Sequence, residues 1–320
     1  MTGMDALPWQ LAAIDRGSER RLQTGFLESL VNSPNTKYLA VRDGKTLVRD
    51  RQIVFLRDGL PAPAAGPVVY LGRSEDGTEL LAVELVHDDP ADDDLADERL
   101  PGAEPGPGES ARWLGFRSIG MELPQAQAQY FIEALAILNW HRVHRHCPRC
   151  GTATTVEASG WVRRCPVDNS EHYPRTDPAI IVAVLGADDR LLLGNGATWE
   201  PNRFSTLAGF VEPGESLEQA VVREIREEVG VRIHRVSYAG SQAWPFPASL
   251  MVGYTAWTED AEATPDGAEV ARARWFSRAE LQAAVLSGEV IISHRMSIAR
   301  ALIEDWYGGL IEEPTSRADV

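Results

Sequence analysis

Residues 209–231, GFVEPGESLEQAVVREIREEVGV, constrain this chain more than any other stretch. Pro213-Gly214 is a turn dipeptide. Ser216 stands where an N-cap belongs, with Gln219 three residues on as its capping-box partner. Residues 217–229 hold neither Gly nor Pro, and Gly230 falls where a C′ glycine ends a helix. The spacing therefore predicts a helix with Val221, Val222, Ile225 and Val229 as its apolar stripe. Glu224, Glu227 and Glu228 fall at i, i+3 and i+4 and share another face. Arg223 can pair with Glu227, but one cation cannot neutralise three carboxylates. A crowded acidic face is either a solvated surface or a seat for a hard cation such as Mg²⁺ or Mn²⁺, which prefers carboxylate oxygen.

The string as a whole resembles the Nudix box, G-x5-E-x7-R-E-U-x-E-E-x-G-U with U apolar. The matching positions are Gly209, Glu215, Arg223, Glu224, Ile225, Glu227, Glu228, Gly230 and Val231, and none departs from the pattern. The resemblance implies hydrolysis of a nucleoside diphosphate linked to another moiety, with divalent metal held by the carboxylates.

Composition bounds the partners. The 320 residues suffice for two or three domains. Lys plus Arg number 31 against 47 Asp plus Glu, a net charge of −16, which argues against non-specific nucleic-acid binding. A negative substrate would be repelled unless metal ions or local arginines offset the field. The start of the chain lacks a cationic segment followed by an apolar core, and no apolar run reaches membrane-spanning length. A soluble, cytoplasmic protein is expected. Residues 1–123 read as a smaller N-terminal mixed domain, with strands over 46–55, 67–71 and 80–86. Residues 88–110, acidic and rich in Pro and Gly, read as an exposed loop.

Residues 124–175 read as a linker helix, opened by Pro124 and ending near Arg145, followed by a zinc-ribbon element. All three cysteines lie there: Cys147 and Cys150, then Cys165 after fourteen intervening residues. This fits C-x2-C-x14-C-x2-C except that Asp168 stands fourth. A carboxylate can complete tetrahedral zinc, so Cys147, Cys150, Cys165 and Asp168 form the candidate structural site, with His172 as the alternative fourth ligand. A degenerate ribbon with inert thiols is the competing reading. His141, His144 and His146 read chiefly as polar positions at a helix end.

From 176 to 313 the pattern predicts strands at 179–185, 191–193, 204–208, 236–243, 250–257 and 271–276. Helices follow at the box, after the Ser277/Glu280 capping box and over 295–307, with a frayed tail at 314–320. Strands with helices on both sides give an α/β (α+β) fold, a Nudix α/β/α sandwich with a mixed sheet.

Residues 241–249, SQAWPFPAS, form a stiff segment in which Pro245 and Pro247 fix φ on either side of Phe246. It presents Trp244 and Phe246 either to a ligand or to a packed strand edge. It resembles the SQPWPFPxS signature of the NADH pyrophosphatase (NudC-type) subfamily, departing only in Ala243. That resemblance, carried over residues 124–306, implies cleavage of NAD(H) to NMN(H) and AMP, and removal of NAD caps from RNA 5′ ends. It further implies a homodimer. Glu224, Glu227, Glu228, Glu269 and the Ala208 carbonyl would bind catalytic Mg²⁺ or Mn²⁺. Glu215 would orient the box loop, and Arg223 would steady the carboxylates. Gln242, Ala243, Trp244, Pro245, Phe246, Pro247, Ala248 and Ser249 would line the substrate. Phe210 and Tyr173 would stack on a flat ring, and Ala299 would touch substrate through its backbone. Glu227 or Glu228 would serve as general base. Other readings are a preference for ADP-ribose or diadenosine polyphosphates, and a zinc-ribbon binding module with a dead box.

Overall fold

A computed structural model describes residues 14–57, 64, 66–85 and 110–314. The expected acidic loop at 88–110 lies outside these residues except for Ser110, and the expected tail outside them except for Pro314. Two compact units emerge. Pro8–Thr176 with Pro245–Ala248 form the first, and the second contains Asp177–Trp244 and the chain from Ser249.

In the first unit, α1 (Phe26–Val31) precedes β1 (Thr36–Arg42), β2 (Lys45–Arg49), β3 (Gln52–Ile53), β4 (Val69–Arg73), β5 (Glu79–Glu84) and β6 (Arg112–Gly115). The sheet order is β3-β2-β1-β5-β4, with β6 beside β2. β1 and β5 pair in parallel. The single strand expected over 46–55 is in fact β2 and β3. Asp50 and Arg51 turn the chain with φ of 48° and 59°, and Arg49 pairs with Gln52. Two successive positive φ values make the tight hairpin turn usually signalled by Asn-Gly or Asp-Gly, and Asp-Arg carries no such signal. After α2 (Phe116–Ile119), α3 (Gln125–Val143) packs on β1, β4 and β5. Pro124 is its N-cap.

Three short strands, β7 (Thr155–Glu157), β8 (Val162–Arg164) and β9 (Glu171–His172), build a small antiparallel sheet beside the cysteines.

The second unit holds a mixed sheet of β10 (Asp177–Leu185), β11 (Leu191–Gly196), β12 (Leu207–Phe210), β13 (Arg235–Trp244), β14 (Ser249–Trp257) and β15 (Val270–Phe276). Its order is β13-β14-β10-β11-β15, with β12 also on β10. β10 runs parallel to β14 over nine residue pairs, and its continuous Ala-Ile-Ile-Val-Ala-Val-Leu run suits a strand buried on both faces. The strand expected at 204–208 begins three residues later and reaches into the box, because residues 207–210 pair with 179–182. Helix α4 (Leu217–Val229) is the box helix, followed by α5 (Arg278–Ser287) and α6 (Ile298–Tyr307). The last helix starts three residues later than its pattern suggested, where the Ser297 side chain caps it.

Both halves of the Ser216/Gln219 capping box are formed, and Gly230 closes α4 at φ 70°. Val221, Ile225 and Val229 pack against Ile180, Val182, Val252 and Val270. Each such burial is worth roughly 1.5–3 kcal/mol. Val222 is the exception to the expected stripe, with 41% of its surface exposed, and Ala220 takes its place in the core. Val222 and Val229 share a helical bearing, but only the far end of α4 is covered, where Thr264 N bonds Val229 O and Ala263 packs on the core.

Candidate active site and metal centres

The box residues form two clusters on α4. On one side Arg223 commits all five guanidinium donors. Nε and Nη2 meet the two Glu215 oxygens at 2.6 and 2.9 Å, and Nη2 also reaches Phe210 O at 2.9 Å. Nη1 lies 2.9 Å from Glu224 Oε1 and 3.0 Å from Glu227 Oε2. Glu215 also accepts from Glu212 N at 3.0 Å, so the loop before the helix is tied to it. The arginine holds the Glu215 carboxyl down to about 2. A bidentate guanidinium–carboxylate pair is the strong form of such a contact.

On the other side, Glu228 and Glu269 line one cavity of about 370 Å³ together with Ala208, Gly194, Gly196 and Trp199. Glu228 is only 6% exposed, and its Oε2 is buried with no hydrogen-bond partner among the described residues. Burial, with Glu224, Glu269 and Asp266 adding repulsion, pushes its carboxyl up to about 8. Burial likewise raises Glu224. The loop that delivers Glu269 is fixed to α4 through Asp266 N on Glu228 O at 2.9 Å, and Asp266 in turn accepts from Glu269 N and Val270 N. Gly209 explains itself here: a Cβ on it would lie 2.1 Å from Glu224 Cδ. The carboxylate occupies the space that any side chain would need.

Helical spacing puts the three glutamates on one face, but the fold separates them. Glu227 has a side chain 61% exposed on the Arg223 side, outside the cavity that Glu228 and Glu269 line. Two carboxylates, one of them with an orphaned buried oxygen, are donors that suit a hard divalent cation.

The cysteines make the second centre. One ligand atom from each of Cys147, Cys150, Cys165 and Asp168 lies within 4.8 Å of all the others, and among the described residues no other group of three or more His, Cys, Asp or Glu does so. Two matching turns bring them together. Cys147 N bonds Thr152 O and accepts Gly151 N on its carbonyl; Cys165 does the same with Ser170 O and Asn169 N. Gly151 and Asn169 hold equivalent positive φ values of 74° and 59°. The thiols are free, with Cys150 and Cys165 Sγ 3.5 Å apart. His172 stands outside the group, with Nε2 3.2 Å from Ser170 Oγ, so the geometry gathers Asp168 as fourth donor. His141 is buried between Gly160 O at 2.7 Å and Arg163 Nη1 at 2.9 Å. It is a core histidine, and His144 and His146 are also outside the thiol group.

Two expected substrate contacts are otherwise engaged. Gln242 is buried with both ends of its amide used, donating to Met296 O at 2.7 Å and accepting from Ile298 N at 2.8 Å. It anchors the start of α6. Ala299 is buried, and its N–H bonds the Ser297 hydroxyl at 3.1 Å. Ala243 is exposed on β13, and Trp244 pairs with Ser249 where β13 meets β14. In the first unit, Asn139 Nδ2 donates to Pro245 O at 2.9 Å and Pro247 O at 3.3 Å, and Arg117 lies 4.6 Å from the Phe246 ring centroid. Ala248 is half-buried. Phe210 and Tyr173 are exposed, the Tyr173 hydroxyl on Glu171. Sequence reasoning missed Trp199, a cavity wall in a loop whose only signal was a lone aromatic among polar residues.

Residues 35–140, 142–173 and 175–294 match, in order, the NADH pyrophosphatase-like rudimentary NUDIX domain, the NADH pyrophosphatase zinc ribbon domain and the NUDIX domain. The NAD-capped RNA hydrolase NudC of Mycobacterium tuberculosis is 35% identical over 96% of this chain and 99% of that protein. The chain belongs to the NudC family of Nudix hydrolases. A second NudC relative, the NAD-capped RNA hydrolase of Stutzerimonas stutzeri, is 39% identical over 81% of this chain and 84% of that protein. A solved Nudix hydrolase from Nitrosomonas europaea aligns with 52% of this chain and 94% of its own at 22% identity, with a TM-score of 0.39. As a NudC-family chain it is a Nudix hydrolase with a zinc-ribbon element, and no described helix is long and apolar enough to cross a membrane.

Proposed function

We propose that this chain hydrolyses the pyrophosphate of NAD(H), free or as the 5′ cap of RNA, to NMN(H) and an adenosine 5′-monophosphate end. The observation that carries the reading is Glu228, buried beside Glu269 with an unpartnered oxygen in the cavity that Ala208 also lines. The relatives' shared name supports the NAD-capped substrate.

Glu224, Glu228, Glu269 and the Ala208 carbonyl would hold Mg²⁺ or Mn²⁺. A divalent cation there would offset the pyrophosphate charge and make water more acidic. Arg223 positions Glu224 and Glu227 from one guanidinium. Glu227, on the exposed side, takes a proton from the attacking water. Water oxygen adds to one phosphorus as the bridging P–O bond breaks, and the second phosphate leaves. Phe210 and Tyr173 supply exposed rings for stacking. Zinc in the thiol site supports folding, and a homodimer in the cytoplasm belongs to the same reading.

Product analysis of NADH hydrolysis with Mg²⁺ or Mn²⁺ tests this. NMNH and AMP are expected, and Glu228→Gln should lower kcat by at least about 100-fold. A higher kcat/KM on ADP-ribose than on NADH would reject the substrate, and absence of any metal-dependent turnover would reject the enzyme.

A further inference from the structure

Resting on the reading above, that capped RNA is a substrate, we propose that the β15 edge of the catalytic sheet carries an arginine–aromatic track that holds the RNA strand beyond its cap. The loops at 197–203 and 265–269 contribute walls to two cavities. One is the carboxylate cavity. The other, about 730 Å³, is lined by Asn202, Phe204, Pro265, Arg272, Arg274 and Glu289 among others. Around it the arginines lie against rings: Arg203 is 5.1 Å from the Trp199 centroid, Arg272 5.5 Å from Phe204, and Arg274 4.4 Å from Phe276. Arg272 and Arg274 are two apart on a strand and so share a face.

Their charge is unevenly spent. Arg274 is bound to Glu289 at 2.5 Å. Arg272 gives one bond to Asn195 Oδ1 at 3.3 Å, and neither it nor Arg203 meets a carboxylate among the described residues. All three are exposed. A guanidinium laid on a ring is held in plane while its N–H fork stays open to phosphate. Trp199, 42% exposed on the wall of the carboxylate cavity, carries Arg203 beside that cavity and leaves part of its ring open to a base. Single strands are gripped by this combination of cations for phosphate and aromatics for bases. In a chain of net charge −16, a polyanion can be held only where such cations gather. Free NADH ends at the cap and does not reach the track.

The test compares kcat/KM on NADH and on an NAD-capped RNA of about ten nucleotides, a length that exceeds one single-strand site of a few nucleotides. The double variant Arg203→Glu/Arg272→Glu should lose about tenfold on capped RNA and nothing on NADH. The slope of log kcat/KM against log salt for capped RNA should shrink by roughly 1.4, for two lost single-strand phosphate contacts. Loss on neither substrate overturns the track. If the wild type cleaves NADH but not capped RNA, the track fails alone; if it cleaves neither, the functional reading fails and takes the track with it. Should the double variant lose NADH turnover too, Glu289→Gln decides. Freeing Arg274, it must raise kcat/KM on capped RNA about threefold, within the usual worth of one exposed charge pair, and an unchanged value overturns the proposal.

Discussion

Gly209 shows how much one hydrogen atom can decide. Its Cα lies so close to the Glu224 carboxylate that a methyl group would overlap it. Gly209→Ala should therefore leave the melting temperature nearly unchanged but lower kcat by about 100-fold, the scale of a 1 Å misplacement of a working group. Steady-state kinetics beside a thermal melt will show whether the two separate. Glu133 on α3 is a different case. It is buried, Arg16 Nε stands 3.4 Å away, and neither of its oxygens finds a hydrogen bond among the described residues. Burial pushes its carboxyl up from 4.5 to about 7. The folded state thus keeps a proton that the unfolded chain releases between those values. Its stability is fully present below the lower value and falls as pH rises through the upper one. Glu133→Gln should remove that loss, raising stability at pH 8 by on the order of 3 kcal/mol, with little difference at pH 4. Paired melts at the two pH values measure it. Gly209 was legible because it belongs to a local pattern. Glu133 was not, because the charges that oppose its burial, Arg16 and Arg21, stand more than a hundred positions away. The same limit hid the parting of Glu227 from Glu228: a helical wheel makes them neighbours, and only the loop through Asp266 covers one and leaves the other in water.

Elements whose signals are local were readable. The box helix, its capping box and its closing glycine follow from Ser216, Gln219 and Gly230 at fixed offsets around an apolar stripe. β2 and β3 were not separable, since their turn uses Asp-Arg where glycine would have announced it. The cysteine element was readable through its spacing, which put Asp168 fourth with His172 as the alternative, and the second turn, Cys165 to Ser170, gathers Asp168 with the thiols. Asp168→Ala should weaken zinc binding by at least about tenfold, and His172→Ala by less than about threefold; competition with a chromophoric chelator at pH 7 gives both numbers. Removal of zinc from the wild type should lower its melting temperature, since a site that exists only in the folded chain contributes its binding energy to folding. Gln242 was expected on the substrate only through the resemblance of residues 241–249 to the subfamily signature. Its amide instead joins β13 to the start of α6, a partnership across more than fifty residues.

For the whole molecule, the excess of acid over base sets how substrates arrive. A protein of net charge −16 repels free NADH, so its kcat/KM should rise with ionic strength at fixed Mg²⁺. Capped RNA, guided by the arginine track, should show the opposite trend; a salt series on each substrate reads both. The order of strands was beyond sequence reasoning, because it rests on pairings distant in the chain: β10 meets β14 some seventy residues on, and β11 meets β15 across a similar span. That wiring has a consequence for how the enzyme comes into being. Glu228 and Glu269 reach one cavity only after β15 has closed against β11. A growing polypeptide that has passed its most recognisable motif does not yet have that cavity. Synthesis must run some forty residues further before Glu269 exists, so on the metal site proposed above a truncated product carrying the whole box should show no turnover.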